Sequence, residues 1–243
     1  MTHHYDTSQQ LMNEYNASDV NTNQSKVQGE GNPATCNVTN QNGCLGGGYR
    51  SLLGTLLKPK ADVGSYHQHV DFVGDLSLFG DHQGHSGATF AGILDNLKAK
   101  QTMQVYTPKY VLVLGGTNDF YQNHTVADAL ADAARLLNYI TESAAAPDMH
   151  VLWSTTPLVI PSRCTRSTHP VRVFQCPVNM NDNIRQLNSK LPALLAEHKM
   201  AVLVNMSNAG FVEDDYWIGG VHFNTSGWDK MANAWYSVLQ PLL

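Results

Sequence analysis

The sharpest chemical signal in the sequence is Gly115-Gly116-Thr117-Asn118-Asp119, placed directly after the aliphatic run that ends at Leu114. An Asn amide held by a glycine turn at a strand end can donate to an oxygen on which negative charge develops, a contact that matters most in acyl transfer. A strand-to-helix turn in which Asn118 or Asp119 merely caps the next segment uses the same residues, so a second signal has to decide. His82-Gln83-Gly84-His85-Ser86-Gly87-Ala88-Thr89 is a loop of small residues in which glycine lets the backbone approach a ligand and present a free N–H. Its histidines, with His67, His69 and Asp81, also have the short spacings of metal-ligand pairs. The third segment, Gly220-Val221-His222-Phe223-Asn224, puts an imidazole just ahead of the last helical pattern, where it can act as a general base.

These segments need a scaffold, and hydrophobic periodicity supplies one. Leu52, Leu53, Leu56 and Leu57 recur at helical spacing up to Pro59. Val70 to Val73, Val111 to Leu114, Val151 to Ser154 and Val202 to Asn205 are short aliphatic runs bounded by turn residues, the form of buried parallel strands. Val126 to Ile140, with Leu130, Ala133, Ala134, Leu137 and Ile140, reads as an amphipathic helix, as does Ile184 to Leu195. A last helix is expected from Ser226, as N-cap, through Met231, Trp235 and Leu239. Strands alternating with helices of this length give an α/β fold, a doubly wound and mostly parallel sheet with its site at the carboxyl ends of the strands. Residues 1 to 47 are polar, aperiodic and glycine-terminated, which predicts an arm or loop insertion ahead of a domain over 48–243.

Composition removes several function classes. With 15 basic and 20 acidic residues the net charge is -5, so no basic field exists to draw a nucleic-acid backbone. No apolar run approaches the ~20 residues that span a bilayer. Charged residues make up only 14% of the chain, and Asn, Gly, Ser and Thr take their place. Cysteines fall as two close pairs, Cys36 with Cys44 and Cys164 with Cys176, each in a polar, turn-rich stretch that a bridge would staple. Asn-x-Ser/Thr triplets begin at Asn16, Asn37, Asn123, Asn205 and Asn224. Paired cysteines and sequons together predict a secreted, glycosylated protein. Residues 1 to 20 hold Asp6, Glu14 and Asp19 and have no apolar core of signal-peptide type.

Taken in order, Gly47-Gly48-Tyr49-Arg50, Val70-Asp71-Phe72-Val73-Gly74, the His82 to Thr89 loop, Gly116-Thr117-Asn118-Asp119 and Gly220-Val221-His222 with Asn224 and Gly227 resemble the SGNH (GDSL-type) hydrolase family. Within it they look most like the acetylxylan-esterase branch of the carbohydrate esterases, and the resemblance runs from about Gly47 to Leu239. It implies a three-layer α/β/α sandwich of flavodoxin-like type and a carboxylic ester hydrolase acting on a small-molecule or polysaccharide ester, with no metal or organic cofactor. It also implies a Ser nucleophile, a His base that maps to His222, and an oxyanion hole from Gly87 N–H and the Asn118 amide. Lysophospholipases and thioesterases share these motifs, and a non-catalytic ligand-binding derivative is a further alternative.

Two positions depart from that pattern. The family's His-orienting Asp sits three residues before the base, and here that place is Gly219; Asp214 and Asp215 stand eight and seven residues before His222, and Asp215 is the candidate substitute. The family's nucleophile lies in a Gly-Asp-Ser motif, which this sequence does not contain: Gly74-Asp75 precedes Leu76 and Gly80-Asp81 precedes His82. Met1-Thr2 fits the two residues that follow that serine, so one expectation is that the chain starts just downstream of the motif and lacks the first strand. Within the sequence given, Ser8 in Asp6-Thr7-Ser8 is the candidate nucleophile. Trp217, Phe223 and Trp228 are candidates for a sugar-stacking wall, with core packing as the competing reading.

Overall fold

The computed structural model describes Tyr49, Leu53, Leu56, Leu57 and residues 87–144, 146–164, 176–216 and 219–243. Ser8, the arm over 1–47, the strand expected at Val70 to Val73, the histidines at 67, 69, 82 and 85, Trp217 and the Cys36–Cys44 pair lie outside the described residues.

The described elements are α1 (Phe90–Ala99), α2 (Thr102–Tyr106), β1 (Tyr110–Val113), α3 (Thr117–Tyr121), α4 (Val126–Glu142), β2 (His150–Ser154), α5 (Pro161–Cys164), α6 (Met180–Ala196), β3 (Ala201–Val204) and α7 (Thr225–Leu239). The three strands form a parallel sheet in the order β1-β2-β3, with Tyr110 opposite His150 and Val151 opposite Ala201. Because successive strand residues face opposite sides, Val151 and Trp153 of β2 enter one apolar cluster and Leu152 enters the other. Helices α1, α4 and α6 cover the first face through Leu94, Leu136, Leu137, Ile184 and Leu187. Helix α7, with Leu53 and Leu57, covers the second through Met231, Trp235 and Leu239. The result is the expected three-layer α/β/α arrangement. Trp153 and Trp235 are fully buried on opposite faces, and each such side chain removed from water contributes roughly 1.5–3 kcal/mol or more.

Most of the helices and strands follow the periodicity closely, and the ends are set by caps. Helix α4 starts at a capping box in which Thr125 Oγ1 accepts from Asp128 N–H at 3.1 Å while Asp128 accepts from Thr125 N–H at 3.2 Å. Ser226 is not the N-cap of α7. Asn224 takes that role, its Oδ1 accepting from Gly227 N–H at 3.2 Å, because the Ser226 hydroxyl donates instead to Asp215 Oδ1 at 2.7 Å. Helix α6 begins four residues before the apolar pattern does, since Asn181 on its first turn is used for hydrogen bonding, with both Val159 N–H and Val159 C=O as partners at 2.9 Å. Asn188, two turns along the same face, holds Thr156 in the same two-bond manner at 2.8 Å. These pairs fix the loop that leaves the carboxyl end of β2.

Candidate active site

The chain leaving β1 turns at Gly115 and Gly116 before entering α3. Gly116 has φ 97°, a left-handed conformation that only glycine adopts without strain, and Thr156 Oγ1, which donates to Gly115 C=O at 2.7 Å, occupies the space a Cβ would need. The sharp turn presents Asn118, Asp119 and Gln122 to the loop that precedes α1. Asn118 Nδ2 donates to Ala88 C=O at 3.0 Å, Gln122 Nε2 donates to Gly87 C=O at 2.8 Å, and both oxygens of Asp119 accept from Phe90 N–H at 3.2 and 3.3 Å. Neither Asn118 nor Asp119 caps its own helix, whose N-cap is Gly116 without a side-chain bond. The capping reading of this motif therefore fails for α3, and the motif instead joins two loops 30 residues apart. Gly87 itself has φ 73°, with open space where a Cβ would stand. Gly87 and Asn118, paired in the sequence as candidate oxyanion donors, are thus adjacent in space.

Asp119 is fully buried. Burial pushes its carboxyl up to about 6, against the lowering effect of Phe90 N–H and of His124. His124 Nδ1 lies 3.7 Å from Asp119 Oδ1 and 4.0 Å from Asp132 Oδ2. These three side chains place their ligand atoms within 4.8 Å of one another and are the group, among the described residues, that could hold a metal ion. The same carboxylates already have partners: Arg135 is ion-paired with Asp132, and Phe90 N–H donates to Asp119. A cation would have to displace or share both.

His222 lies on the exposed loop between Gly220 and α7. That loop hangs from the segment after β2: Gly220 C=O accepts from Ile160 N–H at 2.7 Å. Arg163 on α5 reaches back to Glu213 at 3.0 Å and to Tyr216 C=O at 2.8 Å, and Tyr216 pairs with Phe223 as an isolated antiparallel bridge. The Cys164–Cys176 disulfide closes the connection out of α5. Its partner cysteines are those paired by proximity in the sequence. Asn118 follows β1 and His222 follows β3, so both belong to segments that leave the carboxyl ends of strands of one parallel sheet, with β2 between them.

The candidate orienter, Asp215, is 2% exposed and fully engaged. Its carboxylate accepts from Val212 N–H at 2.7 Å and from Ser226 Oγ, and pairs with Lys230 Nζ at 2.6 Å. Burial alone would raise this carboxyl, but the bonds from Lys230, Ser226 and Val212 hold it below the usual carboxylate range. Asp215 C=O also accepts from Asn224 N–H at 2.9 Å, so the residue ties the strand-like segment before His222 to the helix after it. Asp214 is exposed beside Arg163, at 3.5 Å. Phe223 is core: its ring packs 4.4 Å from those of Phe211 and Tyr216, and Trp228 meets it edge-on at 5.7 Å. Sequence reasoning did not find Gln122, Arg163 or Lys230. Of these only Gln122 left a trace, four residues after Asn118 and hence on the same helical face.

Comparison with known proteins gives the family and the fold. Residues 27–229 match the model of the GDSL-like lipase/acylhydrolase family. The structure is similar to a family 3 carbohydrate esterase of Clostridium thermocellum, with TM-score 0.59 and 22% identity over 80% of this chain and 86% of that one. A family 3 carbohydrate esterase of Talaromyces cellulolyticus gives TM-score 0.61 and 22% identity over 80% and 90%. A mutant acetyl esterase solved with an acetate ion gives 0.60 and 22%, again over 80% and 90%. At this identity the likeness concerns the fold. No curated protein matches the chain at a significant level.

Proposed function

Because the chain belongs to the GDSL-like lipase/acylhydrolase family, we propose that it is a carboxylic ester hydrolase that removes acyl groups, acetyl foremost, from acylated polysaccharide. The observation that supports the reading most is the tie between the Gly87 loop and α3, in which Asn118 Nδ2 donates to Ala88 C=O and Gln122 Nε2 to Gly87 C=O. In the reaction a serine Oγ attacks the ester carbonyl and His222 takes the proton. Gly87 N–H and the second amide hydrogen of Asn118 then stabilise the tetrahedral oxyanion. His222 returns the proton to the departing sugar hydroxyl, and water repeats the sequence on the acyl-enzyme. Ser8 is the candidate nucleophile of this sequence. Asp215 supports His222 by fixing the loop that bears it. The carbohydrate esterases among the structural neighbours support a sugar ester as substrate, and the Cys164–Cys176 bridge together with the sequons supports export to an oxidising compartment.

Labelling the chain with a fluorophosphonate, followed by peptide mass spectrometry, tests the reading: an adduct on Ser8 or another serine of the chain that disappears in His222→Ala supports it. A second reading, a cleft that binds acylated sugar without turning it over, is favoured by Gly219 standing where the family's Asp is expected and by the partners that engage Asp214 and Asp215. Binding of acetylated xylan oligosaccharide with no serine adduct in the folded chain would select it.

A further inference from the structure

We infer that Gln122 is a positioning residue for oxyanion recognition, holding the Gly87 peptide so that its N–H converges with the Asn118 amide. The inference rests on the reading of Gly87 and Asn118 as the oxyanion donors. Asn118 and Gln122 are four residues apart and share one face of the turn formed by α3 and its C-cap. Their side-chain amides donate to two consecutive carbonyls, Ala88 at 3.0 Å and Gly87 at 2.8 Å. Asp119 adds a third, buried tie at Phe90 N–H.

The need for such a hold follows from glycine itself. At φ 73° Gly87 occupies a region open to glycine, but the same freedom lets either of its peptides rotate away. Fixing its carbonyl removes one of those rotations, and the N–H on the other side of the Cα then keeps only the freedom of φ. Preorganised donors stabilise an oxyanion because they need no reorganisation as charge develops, and displacements well under an ångström are enough to weaken them. Gln122 is exposed, as is its bond to Gly87, so the bond adds little to global stability. Its consequence is local.

Acetate, the carboxylate product of an acetyl ester, is the probe. The full chain, labelled with 15N, is titrated with sodium acetate while the Gly87 backbone amide and the Asn118 side-chain amide are followed by NMR, in wild type, Gln122→Met and Gln122→Ala. Met keeps the length of the side chain without its donor, and Ala removes the donor with less volume. In wild type both signals are expected to move with one dissociation constant. In both variants acetate affinity is expected to fall on the order of tenfold. The Gly87 response should be largely lost, the Asn118 response should persist, and the melting temperature should be unchanged. Wild-type affinity and a wild-type Gly87 response in both variants would overturn the role of Gln122 while leaving the oxyanion site intact. A loss of affinity that follows a lowered melting temperature, or that removes both responses equally, would also overturn it in favour of a purely structural role. If wild-type Gly87 and Asn118 ignore acetate altogether, the oxyanion reading itself fails, and this inference fails with it.

Discussion

On the Gly87 side of the site the residues proposed for chemistry also tie the loops together: Asn118 bonds Ala88 C=O, and its neighbour Asp119 bonds Phe90 N–H. On the His222 side those two tasks are divided. The loop is held by Arg163, Asp215 and Lys230, and the two carboxylates nearest before His222 in sequence are paired with cations. The first side is tied by neighbouring side chains of one short helix and its C-cap, Asn118, Asp119 and Gln122, which bond the Gly87 loop directly. The second is held largely through residues outside the Gly220 to Asn224 motif. There, the groups that secure the loop and the groups that would tune the imidazole have become separate.

That contrast can be sharpened by placing a carboxylate at Gly219, where the family's Asp is expected. Gly219 does not have positive φ, and a Cβ there meets nothing within 4 Å. Gly219→Asp is therefore expected to fold normally and to raise kcat/KM for nitrophenyl acetate by roughly 10²-fold, since a carboxylate that orients the base is worth orders of magnitude. No gain would mean that His222 is already oriented or is not the base. Removing the anchor of that side gives the next largest effect. Asp215→Ala removes the acceptor of Val212 N–H and Ser226 Oγ and one partner of Lys230, which keeps Gly210 C=O, and should cost about 2–3 kcal/mol in urea unfolding; a loss under about 1 kcal/mol would show that this carboxylate is not what holds the loop.

Asp119→Asn probes the first side through pH. The folded carboxyl titrates near 6, above its unfolded value, so the folded state binds the extra proton between pH about 4 and about 6 and stability falls as pH rises through that window. His124 opposes this effect and Asp132 reinforces it. The variant should lack that slope, a difference of at most about 3 kcal/mol between the ends of the window, read from urea midpoints at several pH values. Parallel profiles for variant and wild type would refute the assignment to Asp119. The smallest effect is expected for Arg163→Ala, about 1 kcal/mol, with faster amide exchange confined to residues 213–216 and 219–223; uniform acceleration would contradict a local anchoring role.

Much of this architecture was legible because it depends on local periodicity. The aliphatic runs at Val111, Val151 and Val202 fall on β1, β2 and β3 within a residue, and the pattern from Val126 sets the first residue of α4. Ends controlled by polar side chains were not legible in the same way. Met180 to Asn183 lies ahead of the apolar pattern that starts at Ile184, and its place in the helix shows only once Asn181 is seen to satisfy Val159; Ser226 reads as a cap until Asp215 is seen to take its hydroxyl. At the site, Gly87, Asn118 and His222 could be proposed only through the family resemblance that their motifs carry. Asp119 could not be given its role, because its partner lies 29 residues away and nothing in spacing announces it. The Lys230–Asp215 pair joins a turn to a helix across the His222 loop, a contact that only the folded chain creates.

The most direct test of an oxyanion site at Gly87 and Asn118 is the hydrolysis of an acetyl ester by wild type and by Asn118→Ala, with kcat and KM measured separately. A fall in kcat of roughly 10²–10³ with KM little changed is predicted, the signature of a donor that acts on the transition state. An unchanged kcat, or a chain that folds and binds the ester without turning it over, would contradict it.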